Sequence, residues 1–191
     1  MLAMTSFAPA KCRGFTLIEL MVVLTLLAVI AGLAAPGFRS TIARQKLSTA
    51  ANDLLSSALQ ARSEAIKANQ QTIVQPVVST DWAQGWRVYV DVDKDKAYTE
   101  GTDTFVTSVP PVADSVTVVD TEFFNSSVGN LIAFDPNGFL LSQNAGRVVF
   151  ASTVIPSSEL KKGVIVSRTG RARICTSQPG KDGCAATSAK D

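Results

Sequence analysis

Histidine is absent from all 191 residues of the sequence. Its absence excludes Ser-His-Asp and Cys-His nucleophile pairs, zinc sites with histidine ligands, and the usual general base with a pKa near neutrality. Glycine-rich phosphate-binding loops are also missing, because the stretch GVIVSRTGR at residues 163–171 lacks the required spacing and no Lys-Ser pair follows it. We therefore predict no enzyme activity, no cofactor and no metal ion.

The net charge is only +2, but the charged residues are unevenly distributed: basic residues are scarce in one part of the chain and acidic residues in another. Residues 91–125 contain eight acidic residues and two lysines, whereas residues 156–191 contain seven basic residues and three acidic ones. Such an asymmetry is informative about binding partners rather than about the fold.

Long apolar runs are limited to one, at residues 15–35. A helix of that length rises about 30 Å, which matches the hydrocarbon thickness of a bilayer, and Lys11 and Arg13 before it favour a cytoplasmic amino end. A secretory signal peptide cut after residues 32–34 (GLA) is the alternative. Against it stands Glu19, because a carboxylate inside the apolar run costs about 3 kcal/mol on insertion scales and would serve nothing in a signal peptide.

The residues GFTLIE at positions 14–19, behind a short basic leader, resemble the class III signal of type IV pilins and type II secretion pseudopilins. The resemblance implies that prepilin peptidase cleaves between Gly14 and Phe15 and methylates the new amino terminus at Phe15. It also implies that Glu19 pairs with this amine on a neighbouring subunit during assembly. The implied partners are other pilins or pseudopilins, the prepilin peptidase and the inner membrane, with the head in the periplasm.

Pro36 and Gly37 end the apolar run and predict a kink. Beyond them, apolar residues recur at spacings of three and four to about residue 69, which predicts an amphipathic helix. The stripe consists of Leu47, Ala51, Leu54, Ala58, Ala61 and Ala65, broadened by Leu55, Leu59 and Ile66. After Gln71 the period changes to two, which predicts strands at 72–78, 85–92, 104–109, 115–119, 131–134, 147–150, 163–168 and 171–175.

These patterns predict an α+β fold in which a long amino-terminal helix packs on an antiparallel β-rich head, and the resemblance implies that the fold is pilin-like. The predicted segments are a leader at residues 1–14, a transmembrane and polymerisation helix at 15–35, an amphipathic helix at 36–70, the head at 71–184 and a flexible tail at 185–191.

Four stretches of the head resemble the GspH/FimT branch of the pilin superfamily: ARSEAIKANQ at 61–70, WAQGWRVYVDVDKD at 82–95, FDPNG at 134–138 and SRTGRARIC at 167–175. The resemblance implies a minor pilin of the FimT/FimU kind, placed near a pilus tip to aid assembly. A GspH-type pseudopilin of a type II secretion system is the alternative within the family. A periplasmic binding module released by signal peptidase is the alternative outside it.

The pair Thr169-Gly170 predicts a two-residue hairpin turn. In that register Arg168 faces Arg171 and Val166 faces Arg173, which gathers three arginines on one side of the sheet. Residues 170–173 also resemble the GRxR motif of FimT-type minor pilins that bind DNA. The resemblance implies phosphate contacts by Arg171 and Arg173, with Arg168, Lys161, Lys162 and Lys181 adding charge; the alternative is that these side chains only solubilise the hairpin or contact acidic neighbours.

Removal of the leader with Cys12 would leave two cysteines, Cys175 and Cys184. In the oxidising space outside the inner membrane we expect them to form a disulfide that fixes the carboxy-terminal loop.

Alternate aspartates at Asp91, Asp93 and Asp95 are reminiscent of a calcium-binding loop. The sixth position of that loop is Lys96 instead of glycine and the twelfth is Thr102 instead of glutamate, so the sequence favours a solvated hairpin turn without a metal.

Overall fold

A computed structural model describes residues 14–78, 80–122, 130–142 and 145–184, with the backbone alone at 34–36 and 122. The predicted leader therefore lies outside the described residues except for Gly14, and the predicted tail at 185–191 lies outside them entirely. The chain divides into two compact units, residues 1–38 and 39–191.

The long helix α1 runs from Leu17 to Ala68. It begins with a side-chain cap, because the Glu19 backbone N–H donates to Thr16 Oγ1 at 3.2 Å. No single straight helix in the described part of the chain is long and apolar enough to span a membrane. The stretches Leu17–Leu33 and Gly37–Ala68, on either side of a break at the predicted kink, meet the length and composition criteria together.

Within the second unit, the predicted apolar stripe of α1 is buried. All six principal members of the stripe are completely buried, and Leu55 is partly buried. The predicted broadening of the stripe is wrong at two positions, because Leu59 and Ile66 are 47% and 52% exposed. The small alanines let the helix approach the sheets closely, and the larger residues on its flank stay in solvent.

The described strands are antiparallel, as the sequence predicts, and they form two sheets, which the sequence does not predict. The first has the order β3-β2-β1-β5 and the second the order β4-β6-β7-β8-β9. Their bounds are β1 Thr72–Val78, β2 Asp81–Val90, β3 Thr104–Val109, β4 Val116–Glu122, β5 Ile132–Phe134, β6 Gly146–Ser152, β7 Lys161–Val166, β8 Ala172–Gln178 and β9 Lys181–Asp182. The sequence patterns predict the bounds of β1 and β3 without error. The strand β9 has only two residues, which is too short for a recognisable sequence pattern.

The main core lies where α1 and the inner faces of both sheets meet. Trp82, Trp86, Phe134 and Phe150 are its largest fully buried side chains, and the indole N–H of Trp86 donates to Ser57 Oγ of α1 at 2.9 Å. A smaller cluster on the outer face of the second sheet joins Val149 and Ile165 to the two cysteines.

Candidate functional sites

The first candidate site is the start of the described chain. Phe15 is 81% exposed, and the large apolar side chains from there to Leu33 are 44–81% exposed. Glu19 is exposed in the first turn of α1 and is the one ionisable side chain between residues 14 and 38. A carboxylate near a helix amino terminus is favoured by the helix dipole, so Glu19 is compatible with the helix even before it meets a partner.

The second candidate site is the β7–β8 hairpin, where the predicted register is wrong. Val166 pairs with Ala172 and Ile165 pairs with Arg173, and the backbone N–H of Ser167 donates to the carbonyl of Arg171 at 2.9 Å. The loop therefore contains three residues, 168–170, and Gly170 adopts a positive φ of 78°. Three-residue hairpin loops commonly consist of a turn followed by a residue in the left-handed conformation, and Gly170 is that residue here.

The one-residue shift changes which side chains share a face. Val164 and Val166 lie inward with Ala172, whereas Arg173 lies on the outer face beside Ile165. Arg168 is in the loop and does not face Arg171. Arg168 and Arg171 are exposed and Arg173 is partly exposed, so the three arginines remain within one hairpin although not as cross-strand pairs.

Arg62 of α1 holds the hairpin loop against a second loop. Its Nε donates to the carbonyl of Gly138 at 2.9 Å and its Nη2 to the carbonyl of Thr169 at 3.2 Å. A Cβ on Gly170 would collide with the Gly138 carbonyl, so a side chain at this position would separate the two loops. Three of the four head motifs found in the sequence thus meet at Arg62.

The predicted auxiliary lysines do not join the arginines. Lys181 pairs with Gln178 at the far end of β8, about 23 Å from Arg171 at the usual rise of about 3.3 Å per residue. Lys161 lies at that end as well, opposite Ser177. Lys162 points to the inner face, where its Nζ donates to Ser48 Oγ of α1 at 2.8 Å.

A disulfide joins Cys175 and Cys184, whose Cα atoms are 5.1 Å apart. It lies on the outer face of the second sheet and covers Val149 and Ile165. The largely buried Arg147 ties this loop to β4, because it donates to the Cys184 carbonyl at 2.8 Å and forms an ion pair with Asp120 at 2.7 Å.

The acidic loop between β2 and β3 is not the fully solvated turn that the sequence favours. Asp91 is completely buried, and its Oδ2 accepts hydrogen bonds from Gln71 Nε2 at 2.8 Å and from the Lys96 backbone at 3.2 Å. Burial is the main cause that raises the pKa of Asp91; the backbone N–H groups of Lys96 and Lys94 oppose that rise, and the nearby carboxylates of Asp103 and Asp95 add to it.

Tyr89 lies beside this loop and responds to the same charges. Burial is the main cause that raises the pKa of its phenol, followed by the negative charge of Asp91 and Asp103. The acidic loop is therefore a region of concentrated negative potential next to the buried end of β2.

The family model and the relative that match this chain describe a GspH-type and a pilin-like protein. The family described as type II transport protein GspH matches residues 50–170, and the prokaryotic N-terminal methylation motif matches residues 9–35. The pilin-like protein PilA1 of Thermus thermophilus is 32% identical over 163 residues, which cover 85% of this chain and 97% of the relative.

Two solved structures are similar to this chain in fold. The type IV minor pilin FimU of Pseudomonas aeruginosa is 17% identical with a TM-score of 0.54, covering 73% of this chain and 99% of that one. The minor pseudopilin EpsH of the Vibrio cholerae type 2 secretion system is 14% identical with a TM-score of 0.49, covering 71% and 99%. The likeness to FimU supports the fold described above.

Proposed function

Because this chain belongs to the GspH family and is a minor pilin or pseudopilin, we propose that it is a FimT/FimU-type minor pilin that aids assembly near the tip of a type IV pilus. It is made with a leader at residues 1–14, and the prepilin peptidase cleaves between Gly14 and Phe15 and methylates Phe15. Residues 15–35 cross the inner membrane before assembly, residues 36–70 join them to the head, and the head at 71–184 is periplasmic.

One observation carries this proposal: an exposed apolar helix that contains a single carboxylate in its first turn. Apolar side chains this exposed over seventeen residues require lipid or other helices around them. Glu19 is costly in lipid unless a cation meets it, and the new amine of a neighbouring Phe15 is such a cation. The carboxylate then favours the filament over the membrane-embedded monomer.

Mass spectrometry of the chain purified from its host tests the processing step. We expect an amino-terminal peptide that begins with methylated Phe15. A mature terminus at Ala35 would instead indicate release by signal peptidase and would contradict the proposal.

A pseudopilus in a type II secretion system is the second filament to consider, since the matching family is described as a type II transport protein. The 32% identical pilin-like relative favours a pilus. In a deletion strain we expect fewer surface pili with normal protein secretion, and we expect the tagged chain in the sheared pilus fraction. Lost secretion with normal piliation would assign the chain to the pseudopilus.

The arginine hairpin supports a further role in binding DNA. Arg171 and Arg173 are two residues apart, so their side chains leave the same face of the sheet, and Arg168 is exposed in the adjoining loop. Guanidinium groups contact phosphates through paired N–H donors, and such contacts depend on salt rather than on base sequence.

A gel-shift series with duplex DNA tests the hairpin. We expect the intact protein to bind at low salt, with an affinity that falls as salt rises, and the Arg171→Ala/Arg173→Ala variant to lose binding. The matched control is Lys161→Ala/Lys181→Ala, which also removes two positive charges but at the far end of β8. Equal losses in both variants would indicate general charge, and retention by the arginine variant would exclude the hairpin.

A further inference from the structure

The acidic loop contains a buried carboxylate oxygen that the fold leaves without a hydrogen bond. Asp91 is 0% exposed, and its Oδ1 has no hydrogen-bond partner among the residues that the structure describes. Its other oxygen already accepts from Gln71 and Lys96. An unsatisfied buried carboxylate oxygen costs free energy, and a bound cation would remove that cost.

Two more carboxylates lie close to the Asp91 carboxylate. Ligand oxygens of Asp91, Asp93 and Asp95 all lie within 4.8 Å of one another, and the latter two side chains are exposed and accessible to an ion. Oxygens bound to a single Ca²⁺ at about 2.4 Å are at most about 4.8 Å apart, so the three carboxylates are spaced to surround one such ion.

The charge of the loop also favours a cation. Residues 91–103 contain five acidic side chains and two lysines, which leaves an excess of three negative charges. Neither lysine satisfies Asp91 Oδ1 by a hydrogen bond. Asp103 does not count as a ligand, because both of its oxygens accept backbone N–H groups, from Val92 at 3.0 Å and from Thr99 at 2.7 Å.

We propose that Asp91, Asp93 and Asp95 form a calcium site that fastens the β2–β3 loop. Carboxylate oxygens at alternate positions suit Ca²⁺, which accepts six to eight oxygen ligands in a flexible geometry and fills the remaining positions with backbone carbonyls and water. Mg²⁺ requires a tighter octahedron and releases its water less readily. Lys96 takes a positive φ of 65° at the sixth position, where the known calcium loops use glycine.

The site is tested by calorimetric titration of the full-length chain in detergent with CaCl₂ after treatment with EDTA. We expect one Ca²⁺ per chain with a Kd on the order of 10⁻⁴ to 10⁻³ M, the range of extracellular modules, and a Tm that rises with Ca²⁺. The variant Asp93→Asn/Asp95→Asn should bind at least about tenfold more weakly, and Lys96→Gly should bind more tightly.

Two controls separate binding from folding. Asp114→Asn removes an exposed acid of the same acidic stretch outside the loop and should bind as the unaltered chain does. In EDTA, the Asp93→Asn/Asp95→Asn variant should have a Tm equal to or above that of the unaltered chain, because it relieves repulsion. The proposal is overturned by absence of Ca²⁺ binding to the unaltered chain, by equal binding to the double variant, or by an equal rise in Tm with MgCl₂.

Discussion

At the scale of single residues, Arg62 connects the helix to the loops of the head. Its two donor groups reach carbonyls 76 and 107 residues further along the chain, so it fixes contacts that no local preference specifies. Both loops contain a glycine with positive φ next to or at the acceptor carbonyl, Gly138 in one and Gly170 in the other. Arg62 is therefore a positioning residue for the arginine hairpin.

We expect Arg62→Ala to lower the free energy of unfolding by about 1 to 2 kcal/mol, because two charge-assisted hydrogen bonds are lost at a partly exposed site. Arg62→Lys should recover part of this loss, since an ammonium reaches one carbonyl more easily than two. Arg44→Ala, an exposed arginine on the same helix, is the control and should change stability by less than about 0.5 kcal/mol. Urea unfolding measures all three, and equal effects of Arg62→Ala and Arg44→Ala would contradict the role.

The sequence alone predicts the candidate site at Glu19 but not the burial of Asp91. Glu19 is conspicuous because a carboxylate interrupts an apolar run, and that contrast is visible in the sequence alone. Asp91 is not conspicuous, because acids at alternate positions look like an exposed turn. Its burial depends on Gln71, which lies 20 residues earlier and approaches it only after β1 and β2 have paired.

At the scale of elements, the β7–β8 hairpin shows the limit of local patterns. A glycine in a short turn fits both a two-residue loop and a three-residue loop that ends in a left-handed glycine. The choice is made by the core, since the observed register places Val164 and Val166 inward together with Ala172. The same strands were predicted from their sequences, but a shift of one residue reversed which side chains face Arg173.

The disulfide loop is the element whose removal has the clearest expected effect. Closing a loop across nine positions contributes about 2 to 3 kcal/mol by chain entropy, and the bridge also covers Val149 and Ile165. We expect Cys175→Ser/Cys184→Ser to lower the Tm and to expose this outer cluster to a hydrophobic dye. A reducing agent should lower the Tm of the unaltered chain by a similar amount and leave the Tm of the variant unchanged. If neither the double substitution nor the reducing agent lowers the Tm of the unaltered chain, the bridge is not stabilising.

At the scale of the whole molecule, the sequence predicts the α+β class and most strands but not their arrangement. Periodicity identifies a strand through its own neighbours, whereas the pairing of β4 with β6 and of β1 with β5 joins segments that local patterns do not relate. The division into two sheets follows from long-range packing around Trp82, Trp86 and Phe150. Family resemblance, and not periodicity, anticipated that these elements form one pilin-like head.

Assembly into a filament is the property that depends on the whole molecule, and Glu19 tests it. Glutamine at this position keeps the size and the capping geometry with Thr16 but removes the charge. Glu19→Gln should enter the membrane at least as well as the unaltered chain, since it avoids a cost of about 3 kcal/mol, yet its abundance in sheared filaments should fall at least about tenfold.

Thr16→Ala is the complementary control, because it removes the cap and keeps the carboxylate, so it should assemble far better than Glu19→Gln. Immunoblots of membrane and filament fractions measure both, with mass spectrometry confirming processing at Phe15. If Glu19→Gln assembles normally and Thr16→Ala does not, assembly depends on the helix cap at Thr16 and not on the charge of Glu19, which would contradict the proposal.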